Sequence, residues 1–244
     1  MAPGTTAESI ASLQDRIITC GLCPRLVEWR ETVAREKVRR FTDQAYWGKP
    51  VPSFGDPRAR LLVLGLAPAA HGGNRTGRIF TGDRSGDWLF RALHKAGFAN
   101  QPASIDRNDG LRLRDCYVTA AVRCAPPQNK PSPRENANCR PYLLRELELL
   151  KRVRVIVALG RFAFAAAIAS VGLDEQSSGR PEFKHAAQLH LTGGVTLIAS
   201  FHPSQQNTFT GKLTEPMFDQ VFTVARKIID GALTEHCRRP APLL

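Results

Sequence analysis

No stretch of this chain approaches the roughly 18 uninterrupted apolar residues that a membrane span needs. Arg154 and Arg161 interrupt the best candidate. The opening residues, MAPGTTAES, lack the basic-then-apolar pattern of a secretion signal. There is no internal repeat, low-complexity block or long linker. Nucleotide fingerprints are missing too. Neither G-x-x-x-x-G-K-S/T nor G-x-G-x-x-G occurs, which argues against nucleotide hydrolysis and a dinucleotide cofactor. These absences set aside membrane, secreted and disordered classes. They leave the expectation of one domain over residues 10–231, with loose ends at 1–9 and 238–244.

Acidic residues are few. The 244 residues hold 22 Asp+Glu against 34 Lys+Arg, a formal net charge of +12. Such a balance points to a polyanionic partner, because Lys and Arg gain affinity by displacing counterions from phosphates. Composition bias is the plain alternative, since only 8 of the 34 cations are Lys. Six cysteines without a secretory signal argue for metal binding or catalysis before disulfides.

Helical spacing occurs at 10–19 and from Arg25 to Arg40, where mixed charges read as a solvated face. Apolar runs of strand length follow at 60–66, 116–123, 153–159 and 195–200. Helical patterns alternate with them at 85–97, 135–151, 161–171 and 214–231. This order predicts an α/β class: a single doubly wound domain with a four-stranded parallel sheet flanked by helices. Ligands of such sheets bind outside the carboxyl ends of the strands. Three strand-to-helix connections are long, polar and rich in Gly or Pro: 67–84, 124–134 and 201–213. All three should emerge on one edge and enclose one site.

Cys20 and Cys23 form a C-x-x-C followed by Pro24, a spacing that lets two thiolates reach one metal centre. Cys116 and Cys124 lie roughly 26 Å apart along a strand and do not share a centre. Cys237 falls in the tail, whereas Cys124 and Cys139 flank the proline-rich loop. Four thiolates with no matching His suit a 4Fe–4S cluster or a structural zinc, and spacing does not choose between them.

The first loop carries HGGNRTGR, whose glycines permit close approach and whose Arg75 and Arg78 suit phosphate. Asp83 reads either as a helix N-cap or as the group that activates a water. Phe80 reads as core or as a ring stacked on a base. Asn129, beside Lys130, is a turn former or a ligand for a base edge. His202 follows a strand directly and precedes Pro203–Ser204; His71 is a weaker candidate.

With these loops in view, the chain resembles the family 5 (B-type) uracil-DNA glycosylases of bacteria and archaea. The resemblance rests on GLAPAAHGGNRTGRIFTGD at 65–83, AVRCAPPQNKPSP at 121–133, HPSQQNT at 202–208 and CGLCP at 20–24. It runs from about Leu13 to Ile229. It implies a DNA-repair hydrolase that flips out uracil and other deaminated or modified bases and leaves an abasic site. The implied catalytic residues are Asp83, Asn129 and His202, with Phe80 and Ala67 at the base. Arg75, Lys130 and Ser204 would contact DNA. A structural 4Fe–4S cluster would sit on Cys20, Cys23, Cys124 and Cys139. Ala67 and Ala120 stand where related uracil-specific enzymes place polar groups, which suits a wider pocket, hypoxanthine included.

No Lys stands out as a Schiff-base nucleophile, so hydrolysis without strand cleavage is expected. The implied partner is double- or single-stranded DNA containing uracil or deaminated bases. The implied setting is a cytoplasmic, nucleoid-associated monomer, with no membrane contact. A zinc-stapled, non-catalytic nucleic-acid-binding module is the alternative, and an α/β enzyme using a cluster for electron transfer a third.

Overall fold

Ser9 starts the first helix through a reciprocal cap in the computed structural model, which describes residues 8–173 and 181–238. Its hydroxyl accepts from Ser12 N at 3.2 Å, while Ser12 Oγ accepts from Ser9 N at 3.0 Å. Helix α1 (Ile10–Ile18) follows. Glu8 pairs with Arg16 at 2.6 Å and with Arg145. The end expected to be loose at 1–9 is therefore structured at Glu8 and Ser9; residues 1–7 lie outside the described residues.

Helix α2 (Pro24–Glu36) takes Pro24 at its first position, where no N–H is needed. It stops at Lys37, whose φ of 55° breaks the helix, and a 3₁₀ turn covers Arg39–Phe41. The helix expected to reach Arg40 is thus shorter.

The sheet has the order β1-β3-β2-β4-β6-β5. Four strands are parallel: β2 (Leu61–Gly65), β3 (Cys116–Ala120), β4 (Val155–Leu159) and β6 (Val195–Ser200). Each lies within an expected apolar run. Two short antiparallel edges enlarge the expected four strands to six. They are β1 (Phe54–Gly55) beside β3 and β5 (Gln188–Leu191) beside β6. The β5–β6 hairpin turns through Gly193 and Gly194, both at positive φ.

Side chains alternate across the sheet. Leu61 and Val63 face a core shared with α4 (Arg84–Lys95) and α8 (Glu215–Arg238), including Phe90, Phe218 and Phe222. Leu62 and Leu64 face the other core, with Leu143 of α5 (Pro133–Leu149) and Phe164 of α6 (Arg161–Val171). Helix α8 continues past the expected end at 231. Cys237, expected in a loose tail, therefore lies in its last turn, while residues 239–244 lie outside the described residues. Among the described residues no helix is long and apolar enough to cross a membrane.

β2 leads to β3 on one side of the sheet, and the chain then crosses to β4 on the other side of β2. The crevice between the carboxyl ends of β2 and β4 is the topological switch point, where doubly wound sheets bind ligands.

Candidate active site and cysteine pocket

The strand ends near this crevice terminate in glycines. Gly65 closes β2, and a Cβ there would meet the Phe80 ring at 2.6 Å. The ring can sit at the strand end only because that Cβ is absent. Phe80 itself has φ 52°, a left-handed conformation that a bulky residue adopts only when its surroundings impose it. Gly160 follows β4, and its missing Cβ would touch His202 Cβ at 3.4 Å. The two rings lie 6.1 Å apart between centroids. His202 is half-buried, and desolvation of its imidazole lowers its pKa to about 4. The ring is therefore neutral near pH 7 and can donate one N–H without carrying charge.

Phe80 is buried, 7% exposed, and the loops that carry these two rings also line a polar cleft whose own lining includes neither ring. The cleft lining includes His71, Arg75, Asp83, Asp87, Asn129 and Gln205. All three long loops contribute, as their common edge requires. Asp83 lines this cleft and also serves as a helix cap. Oδ1 caps α4 by accepting from Gly86 N at 3.0 Å. Oδ2 packs against Gly72, where a Cβ would meet it at 2.1 Å. Burial raises the Asp83 pKa, and the Gly86 N–H and the Arg75 charge oppose that shift. Asn129 enters the cleft from an exposed turn at φ 57°, next to Gln128 at φ 55°. His71 shares a 3.0 Å hydrogen bond with the Tyr46 hydroxyl, and burial beside Arg75 lowers its pKa.

The residues expected to hold DNA divide. Lys130 is exposed, and among the described residues it forms no ion pair. Ser204 caps the short helix α7 (Gln205–Phe209), accepting from Asn207 N at 3.3 Å. Arg75 is buried and stacked over Phe41 at 3.9 Å. Its guanidinium donates to Gln44 Oε1 at 2.6 Å and to the carbonyls of His71 and Gly82. It shapes the loop. Arg78 is locked to Asp109 at 2.6 Å and to Ser104. Ala67 packs against the cysteines and is not part of the cleft lining. Gln44 and Tyr46 carried no signal in the sequence, since they lie in a stretch without periodic pattern, and Asp87 read only as part of the helix expected at 85–97.

Cys20, Cys23, Cys124 and Cys139 line one small pocket with Arg30, Arg123 and Tyr142. Three segments converge there: the turn before α2, the loop after β3 and the first half of α5. Burial pushes the Cys124 thiol up to about 12 and raises Cys139; Arg30 beside Cys124 opposes the first shift. Arg30, read as part of a solvated face, is 6% exposed and donates to Cys124 Sγ at 3.0 Å. The sulfurs explain its burial. Arg25 of the same helix pairs with Glu135 of α5 at 2.6 Å, tying the walls together. Cys116 is apart, fully buried in β3. Among the described residues no three His, Cys, Asp or Glu side chains are placed to hold a single metal ion.

A family model described as the uracil DNA glycosylase superfamily matches residues 52–226. The chain belongs to that superfamily. The matched stretch carries most of the cleft, while its lining residues Val38, Arg40, Phe41 and Gln44 precede it, as do Cys20 and Cys23. The type-5 uracil-DNA glycosylase of Mycobacterium tuberculosis is 53% identical over 223 residues, covering 91% of this chain and 82% of that protein. That of Thermus thermophilus is 53% identical over 212 residues, covering 87% and 94%. The type-4 uracil-DNA glycosylase of Archaeoglobus fulgidus is more distant, 34% identical over 155 residues, covering 63% and 70%.

Proposed function

We propose that this protein excises uracil and other deaminated or modified bases from DNA by hydrolysing the N-glycosidic bond. The carrying observation is the convergence of Asp83 and Asn129 in one cleft lined by the same loops that carry Phe80 and His202. A base inside a duplex must first be extruded, at a cost of a few kcal/mol that is lowest for mispaired lesions. Phe80 offers the extruded base a rigid face. The neutral His202 imidazole donates an N–H to the base carbonyl as negative charge develops on the departing ring. Asp83 stabilises the cationic sugar, and with Asn129 it orients a water towards the anomeric carbon. The water oxygen bonds to that carbon, the glycosidic pair leaves with the base, and one water proton returns to it.

Lys is absent from the described cleft lining. That supports hydrolysis without strand cleavage and an abasic product. The exposed Lys130 and the overall +12 charge suit a DNA backbone, double- or single-stranded. Such a substrate places the protein with the cytoplasmic DNA of a bacterium, acting as a monomer.

The cysteine pocket suits a 4Fe–4S cluster held by Cys20, Cys23, Cys124 and Cys139. Four thiols line one small pocket whose charged lining residues, Arg30 and Arg123, are both cationic, which suits a net anionic centre. The cluster would supply structure, joining the turn before α2, the Asn129 loop and α5. A structural zinc on the same thiolates is the alternative.

The test is incubation with a uracil-bearing duplex followed by alkali. Cleavage at the uracil is expected, and intact strands at stoichiometric enzyme would overturn the reading. Iron and sulfide analysis, with absorbance near about 400 nm, separates cluster from zinc.

A further inference from the structure

Six buried side-chain polar atoms have no hydrogen-bond partner among the described residues, and three of them are arginine Nε–H groups. Two of those three, Arg30 Nε and Arg123 Nε, belong to arginines that line the cysteine pocket. Buried donors without partners are rare, and each points to a group that completes it. Both side chains are fixed by their remaining nitrogens. Arg30 Nη1 reaches Cys124 Sγ at 3.0 Å and the Cys20 carbonyl at 3.4 Å. Arg123 donates from Nη1 to Ser53 Oγ and from Nη2 to Glu146. Glu146 is fully buried on α5, two turns beyond Cys139, and also accepts from Thr119 Oγ1 at 2.7 Å.

We propose that Arg30 and Arg123 anchor the cysteine-bound cluster, each directing its unpartnered Nε–H to cluster or thiolate sulfur. The assignment rests on the iron–sulfur reading given above. The two guanidinium groups have different parts. The charge of Arg123 is balanced by Glu146, so it contributes a directed donor and ties the cluster to β3 and α5. Among the described residues Arg30 pairs with the exposed Glu31 at 3.6 Å, so it contributes both a donor and a positive charge that a solvated partner compensates only in part. A cluster held by four thiolates is a net anion, and each added electron makes it more so. Positive charge and N–H donors at sulfur therefore raise its reduction potential and slow its loss.

The test uses the full chain, purified without oxygen, as wild type, Arg30→Lys, Arg30→Met and Arg123→Lys. Arg123→Lys keeps the Glu146 ion pair and removes only the planar fork with its Nε–H. Four readings are taken: iron and sulfide content, bleaching near about 400 nm under a chelator, midpoint potential by dye-mediated titration, and melting temperature. Bleaching should be about tenfold faster in Arg30→Met and in Arg123→Lys. The midpoint should move to more negative values in Arg30→Met and recover part-way in Arg30→Lys. A purely structural role would lower the melting temperature and leave the midpoint unmoved. Should Arg30→Met not fold, Arg30→Lys carries the same comparison. An iron-bearing wild type whose variants match it in bleaching and midpoint overturns this proposal alone. A wild type without iron and sulfide overturns the cofactor reading, and this proposal with it.

Discussion

The Phe80 ring and the His202 imidazole straddle the switch point of the sheet, one seated against Gly65 at the end of β2 and the other against Gly160 after β4. Their separation is set by backbone that lacks side chains at two places. Gly65→Ala would put a methyl group 2.6 Å from a Phe80 ring carbon. The ring would have to leave its place. Excision of uracil should then fall about 100-fold in kcat/KM, since displacements near 1 Å at a reacting centre have that effect. The far-ultraviolet circular dichroism should stay that of the wild type. Full activity in this variant would show that the ring's position is immaterial.

Asp83 caps α4, and the proposed reaction gives its carboxylate a second, separable task. Asp83→Asn keeps an oxygen that can accept from Gly86 N but loses the charge. Asp83→Ala loses both. Urea unfolding should place Asp83→Ala lower by about 1 kcal/mol, the worth of a cap, with Asp83→Asn close to the wild type. Single-turnover excision should be slowed strongly, and to a similar extent, in both. If Asp83→Asn retained the wild-type rate, the carboxylate would be a cap and nothing else.

His202 makes stability depend on pH in a defined direction. Its folded pKa, about 4, lies below the ordinary 6.5. The unfolded chain therefore takes up the proton first as pH falls. Stability from this group is intact above pH 6.5 and is lost progressively between 6.5 and 4. The difference in urea midpoint between wild type and His202→Asn should be constant above pH 7 and should change across that window. The same neutral ring predicts that the share of activity due to His202, measured as the rate ratio to His202→Asn, stays flat from pH 6 to 9. A bell-shaped ratio centred near 6.5 would contradict it.

Arg75 holds the first loop by three hydrogen bonds and by stacking on Phe41. Arg75→Ala should cost about 1–3 kcal/mol of unfolding free energy, the penalty for buried acceptors left unpaired. It should leave the salt dependence of DNA binding unchanged. Lys130→Ala should do the reverse, with stability retained and the slope of log affinity against log salt reduced by about one unit. Parallel titrations of the two variants decide which cation meets phosphate.

Much of this was legible because each feature had a local signature. Continuous apolar runs marked the four parallel strands, and long Gly- and Pro-rich connections marked the site. The edge strands had none. β1 is two residues long, and β5 reads Gln-Leu-His-Leu, too short and polar to stand apart from a loop. Arg30 was misread for a different reason. Charges mixed along a helix indicate solvent, and what buries Arg30 is a sulfur 94 residues away. Arg75 was misread likewise, as its acceptors include Gln44, 31 residues distant in a segment without pattern. Ala67 was expected at the base, but its methyl group faces the cysteine cluster. Local rules describe elements well; they do not report which charge a distant loop will cover.

The hydrogen bond from Gln14 to Glu146 joins residues 132 apart, at 3.3 Å. Cys20 and Cys23 wait nearly as long for Cys139, over 119 and 116 residues. During synthesis α1 and α2 leave the ribosome first, yet the partners that close their thiols and amides emerge more than a hundred residues later. The nascent chain thus carries two open thiols until α5 is made, a little past the middle of the chain. The clasp on Glu146 and the gathering of all four sulfurs can begin only from that point, while β4, β6 and α8 are still to come.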